Sequence, residues 1–114
     1  MIGKDEFLRP VFRNSISVAV IKLAKNEKGA YSGILFVKNI SGLTFDLKTS
    51  GTFKGLSLPD KITVPPASTV AVSFDYTNNT KGNAKIEFPV EVTNFLAGPN
   101  KAMNDNLLIN FNIE

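Results

Sequence analysis

The chain has 114 residues, 43% of them hydrophobic and 20% charged, which suits one globular domain with a single core. It contains no Cys and no His, which excludes disulfides, thiol catalysis, thiolate metal sites and imidazole acid–base chemistry. The net charge of +3 is uneven, with ten basic and five acidic groups in residues 1–61 against three and five in 62–114. The lysines are scattered with few aromatics beside them, so they read as solvated strand exteriors, and nucleic acid is not an expected partner.

The N-terminal stretch MIGKDEFLRPVFRN has charge interrupting every apolar run. It is no secretory leader, and no run nearby is long enough to cross a membrane. That favours a virion or cytoplasmic setting, or an extracellular one if a leader has been removed. Residues 1–13 match neither a strand nor a helix period and are read as an arm, with 14–114 as the domain. The arm holds Phe7, Leu8 and Phe12, too apolar for a solvated tail. It either packs on its own sandwich as an extra edge strand or reaches a neighbouring subunit. The neighbour is the expectation, because Pro10 would interrupt a long strand.

Seven strand-like segments follow, separated by turn chemistry. SISVAVIKLA (15–24) alternates, with Ile16, Val18 and Val20 on one side. YSGILFVK (31–38) is apolar on both faces and so predicts a central strand. LTFDLKT (43–49) turns Leu43, Phe45 and Leu47 inward, and SGTFKGLSLP after it reads as loose and glycine-rich. KITV leads into Pro65-Pro66, and STVAVSFDY (68–76) places Val70, Val72, Phe74 and Tyr76 on one face. KIEFPVEVTN (85–94) alternates Ile86, Phe88, Val90 and Val92 against Lys85, Glu87, Pro89 and Glu91. Proline cannot donate to a ladder, so Pro89 marks either an edge or a bulge. NLLINFNI (106–113) closes the chain, with Leu107, Ile109, Phe111 and Ile113 inward. The pattern predicts an all-β, antiparallel sandwich of about seven strands, with Phe74, Phe88 and Phe111 between the sheets.

Three stretches carry a family resemblance. GILFVKNISGLTFDLKTS (33–50) is similar to the strand, Asn-x-Ser turn and strand of the PapD-like, major-sperm-protein-like and ASH-type immunoglobulin-like domains. LPDKITVPPASTVAVSFDY (58–76) resembles their proline-led approach to an alternating strand, and GNAKIEFPVEVTN (82–94) their glycine-led strand ending at Asn. Where those families often keep Gly or Gln, this chain has Ala67 and Ser68. The resemblance implies an immunoglobulin-like sandwich and a mostly non-enzymatic class: chaperones, adaptors, adhesion modules and phage ornaments.

Catalytic equipment is sparse. The carboxylates Asp46, Asp60, Asp75, Glu87 and Glu91 fall on exposed strand faces or turns. Glu87 and Glu91 would lie about 13 Å apart along one strand, too far for a glycosidase pair. Neither GxxxxGK nor GxGxxG occurs. NKAMNDN (100–106) gathers oxygen ligands that suit calcium, but Asn and Asp in that density more often build a turn. Asn39-Ile40-Ser41 and Asn78-Asn79-Thr80 match the N-glycosylation pattern. The long connection 94–105 carries Phe95, Leu96 and Met103, which either cap the sandwich or meet a partner.

These features point to a non-enzymatic structural or binding module in a larger assembly, a phage capsid decoration or accessory protein being one setting. A secreted or cell-surface module that binds protein or carbohydrate is the alternative. The expected partner is a protein or further copies of the chain, met through Phe7, Leu8, Phe12, Phe95, Leu96 and Met103. No cofactor, metal or membrane is expected.

Overall fold

A computed structural model describes residues 4–25, 30–77, 82–93 and 103–113. A helix, α1 (Lys4–Ser15), runs directly into β1 (Ile16–Lys25). Then come β2 (Tyr31–Asn39), β3 (Phe45–Thr49), the two-residue strands β4 (Thr52–Phe53) and β5 (Leu56–Ser57), and β6 (Lys61–Val64). The chain ends with β7 (Ser68–Tyr76), β8 (Gly82–Thr93) and β9 (Met103–Ile113). One sheet has the order β1-β2-β7-β5-β4 and the other β6-β3-β8-β9, with every pairing antiparallel. This is the all-β sandwich that the alternation predicts.

The period-2 patterns settle which side faces in. Along β9 buried and exposed residues alternate from Met103 to Ile113 without a break. β7 and β8 do the same over most of their length. Phe74, Phe88 and Phe111 are 3%, 0% and 7% exposed, so all three lie in the core as expected. Phe111 meets Tyr76 edge-on at 5.0 Å, and Phe88 meets Phe53 edge-on at 6.0 Å. β2 is central, flanked by β1 and β7 as its sequence predicts, with Leu35 and Val37 buried and Ile34 and Phe36 on its other face half-buried.

Two elements differ from the sequence reading. The stretch read as loose, 50–59, holds a tight hairpin whose turn residues Lys54 and Gly55 both have positive φ, at 50° and 84°. That is the backbone a two-residue hairpin requires, reached here by Lys-Gly rather than the usual Asn-Gly. The larger difference is the N-terminal arm. Residues 4–15 are helical, neither irregular nor an edge strand. Pro10 sits inside the helix and costs it the bond to the Glu6 carbonyl. Packing compensates: Phe12 is 2% exposed and meets Phe45 edge-on at 5.5 Å.

Pro89 occupies a local edge within an inner strand. The β8–β9 register runs through the Pro89–Asn106 pair without a shift, so there is no bulge in that ladder. On the other side β3 pairs with β8 only as far as Thr49–Val90. The Thr49 amide donates to the Asp60 carbonyl, away from β8. By the alternation of a ladder, Lys48 and Glu91 therefore bond across β3–β8, and Pro89, two residues earlier, faces the same side. There β3 has already left, turning at Gly51 (φ 90°) to join the other sheet as β4. A residue with no N–H stands where no acceptor remains.

The Asn39-Ile40-Ser41 turn is a buried knot. Asn39 is 1% exposed. Its Nδ2 donates to the carbonyls of Leu43 (2.7 Å), Pro65 (3.0 Å) and Val64 (3.3 Å). Its Oδ1 accepts from the Ser41 amide (3.0 Å) and hydroxyl (2.7 Å). One side chain thus ties the end of β2 to the start of β3 and the end of β6. The amide is fully engaged, so the folded chain cannot present Asn39 to a glycosyltransferase. The second glycosylation match, 78–80, lies outside the described residues.

Candidate functional site

The site builds from the start of β9 and the face of α1 laid against it. β9 begins at Met103, three residues earlier than the sequence reading, and residues 103–106 are extended where a turn was expected, 100–102 lying outside the described residues. Alternation then turns Asp105 inward, with its side chain 4% exposed. A buried carboxylate needs partners. Arg9 and Arg13, four apart and so on one helix face, supply them. Arg13 donates from Nε to Oδ2 at 3.2 Å and from Nη2 to Oδ1 at 3.4 Å. Arg9 Nη1 lies 3.6 Å from Oδ2 and donates to the Asn104 carbonyl at 3.0 Å. The Asn106 amide donates to Oδ1 at 2.8 Å. The carboxylate is satisfied on both oxygens and clamps the helix to β9. With Asp105 so held, it is a structural anchor rather than a calcium ligand.

Two grooves flank this clamp. One, of about 420 Å³, lies between α1 and the outer face of the sheet and is lined by Arg9, Arg13, Lys48, Pro89 and Glu91 among others. It opens where β3 leaves β8, beside the vacated edge at Pro89. The second, of about 490 Å³, lies between β1 and β9. Phe12, Ile16, Val18, Leu107 and Leu108 give it an apolar lining, and Arg13 and Glu87 stand at it with opposite charges.

Of the residues expected to meet a partner, Phe12 and Met103 are each 2% exposed, in the chain's own core. Phe12 also lines the second groove. Phe7 and Leu8 lie on α1, and their side chains are outside the described part. Phe95 and Leu96 fall outside the described residues. The residues that shape the grooves (Arg9, Arg13, Asp105 and Leu108) were not singled out as a site by the sequence. The available signal was the Arg9–Arg13 spacing together with an acidic residue at an inward position of a strand.

The other carboxylates are dispersed. Asp46 accepts from the Thr63 hydroxyl and Asp75 from the Ser32 hydroxyl, each at 2.7 Å. Glu87 and Glu91 lie exposed on the outer face of β8. Among the described residues no three Asp, Glu, His or Cys side chains gather as metal ligands would. No helix among them is long and apolar enough to cross a membrane.

No curated protein matches the chain. Among solved structures it is similar to a two-domain protein containing a predicted PHP-like metal-dependent phosphoesterase from Bacteroides vulgatus ATCC 8482. That likeness has a TM-score of 0.66 at 20% identity and covers 94% of this chain but 29% of the other. At that identity the likeness is one of fold. The chain thus spans under a third of that protein's length. A family model described as an Ig-like domain, DUF5001, matches residues 16–107, from the first residue of β1 into β9. The chain belongs to this Ig-like domain family.

Proposed function

We propose that the chain is a non-enzymatic binding module that works as one part of a larger assembly, through the face formed by α1, β9 and the start of β1. The observation that carries this reading is the Arg9–Arg13–Asp105 clamp between two open grooves. It fixes a helix on a sandwich edge and so shapes a recessed, mixed polar and apolar surface. Such surfaces suit recognition, with rigid charged groups for orientation and an apolar floor for affinity. No pairing of carboxylates, nucleophile and base on the described residues offers a reaction.

The fold neighbour supports the module reading, since in that protein the comparable region accompanies a second domain. The Asn39–Ser41 knot and the Pro65-Pro66 approach to β7 support a narrower place beside the PapD-like, major-sperm-protein-like and ASH-type groups. A virion accessory protein and a secreted or surface module are two settings for the same mode of action. The neighbouring genes distinguish them.

The test has two arms. The purified chain is assayed against chromogenic phosphate esters and glycosides, with and without divalent ions, and tagged protein is recovered from its native source. The expected outcome is turnover no faster than buffer, with a stoichiometric partner lost on Arg13→Ala. Turnover that disappears on Glu91→Gln or Asp105→Asn would overturn the reading.

A further inference from the structure

The seam between the sheets is incomplete on the β1 side. Leu35 and Val37 of β2 are fully buried, yet Val20 and Val18, their register partners on β1, are only half-buried. Ile16, one step further along, is likewise half-buried. Of these, Ile16 and Val18 line the 490 Å³ groove. At its lip stands Leu108, 52% exposed on the outer face of β9. The other exposed large apolar side chain among the described residues, Ile40 at 65%, lies near the same end of β1, its amide bonded to the Ser15 carbonyl at 3.0 Å. A knob and a hole therefore sit side by side.

We propose that a second copy of this chain covers the seam, in a two-fold dimer that seats Leu108 of each copy in the groove of the other. This rests on the binding-module reading and names its partner. Charge decides for a second copy. Arg13, with its side chain 60% exposed, and the exposed Glu87 line the groove with opposite signs. In the proposed two-fold arrangement the exposed Arg13, which already holds Asp105 of its own copy, meets Glu87 of the other, and the contact repeats reciprocally as in any isologous interface. The outward residues of β9 around Leu108 are the uncharged Asn104, Asn106, Asn110 and Asn112, and Glu87 stands opposite Leu108 on β8. A different partner would have to bring an apolar knob, an acid and a base in this spacing. The chain's own surface already presents all three.

Sedimentation equilibrium of the full chain from about 10 μM to about 1 mM tests the proposal. The expected result is a reversible dimer of the 12.4 kDa chain. Leu108→Asp and Leu108→Thr should each weaken it by about 10-fold or more, with the melting temperature of the monomer nearly unchanged. Glu87→Arg should weaken it too, by setting like charges at the groove. A monomeric parent at every concentration, or a dimer indifferent to all three variants, overturns the proposal. A monomeric parent would leave the binding-module reading standing, whereas catalytic turnover would overturn that reading whatever the mass.

Discussion

At the scale of single residues, two positions show how the corner of the sandwich is held. Asn39 satisfies three carbonyls and one hydroxyl from a buried position, so Asn39→Ala strands several acceptors at once. A lost partner for buried polar groups costs about 1–3 kcal/mol. We expect a fall at the upper end of that range in urea denaturation, and Asn39→Asp should be no milder, since it removes the donor and buries a charge. Ala67 holds a φ of 50° in the turn before β7, its amide bonded to the Ser41 carbonyl at 3.0 Å. A left-handed alanine costs about 1–2 kcal/mol. Glycine relieves that strain but gives back about 0.4–1 kcal/mol through the unfolded chain. Ala67→Gly should therefore stabilise the domain modestly, and a lower denaturation midpoint would contradict the strain argument. The Asn-x-Ser turn was visible in the sequence, but its buried network was not, because those partners come from segments as distant as 25 and 26 residues.

At the scale of elements, β8 and α1 teach opposite lessons. Alternation in 85–92 was enough to place β8 and its inward face, because period 2 is a local signal. It could not decide between edge and bulge for Pro89, which depends on where β3 departs for the other sheet. Pro89→Val restores an N–H that faces water beside the first groove, so stability should change by less than about 1 kcal/mol. With the edge reopened, the variant should scatter light sooner than the parent at equal concentration. A strongly destabilised variant that is no stickier would rule out the edge account. Helix α1 is not legible in the sequence, because Pro10 reads as a breaker and the charged residues hide the inward stripe at Val11 and Phe12. Only the long-range pairs of Arg9 and Arg13 with Asp105 and of Phe12 with Phe45 make that stripe meaningful. Deleting residues 1–13 removes a buried Phe, whose loss alone costs about 3–5 kcal/mol, so the denaturation midpoint should fall sharply. An unchanged midpoint would return the arm to the role of an independent tail.

At the scale of the whole molecule, the layer architecture was readable because nearly every long strand carries clean alternation. Which edge carries the candidate site was not. The candidate face forms where the start of β1, the start of β9 and the helix converge, and no local pattern encodes the convergence. The expected partner residues Phe12 and Met103 turned out to be core at this same junction. Their burial holds the surface in place, and the proposed contact uses Arg13, Glu87 and Leu108 instead. The central claim is that recognition occurs on this face. Amide hydrogen exchange tests it most directly, comparing the dilute chain with the chain in its assembled state. We predict slower exchange on assembly in α1, in residues 16–18 and in 104–110, with β4, β5 and β6 unchanged. Protection confined to the β4–β5 hairpin or to β6, with the helix and β9 unaffected, would contradict it.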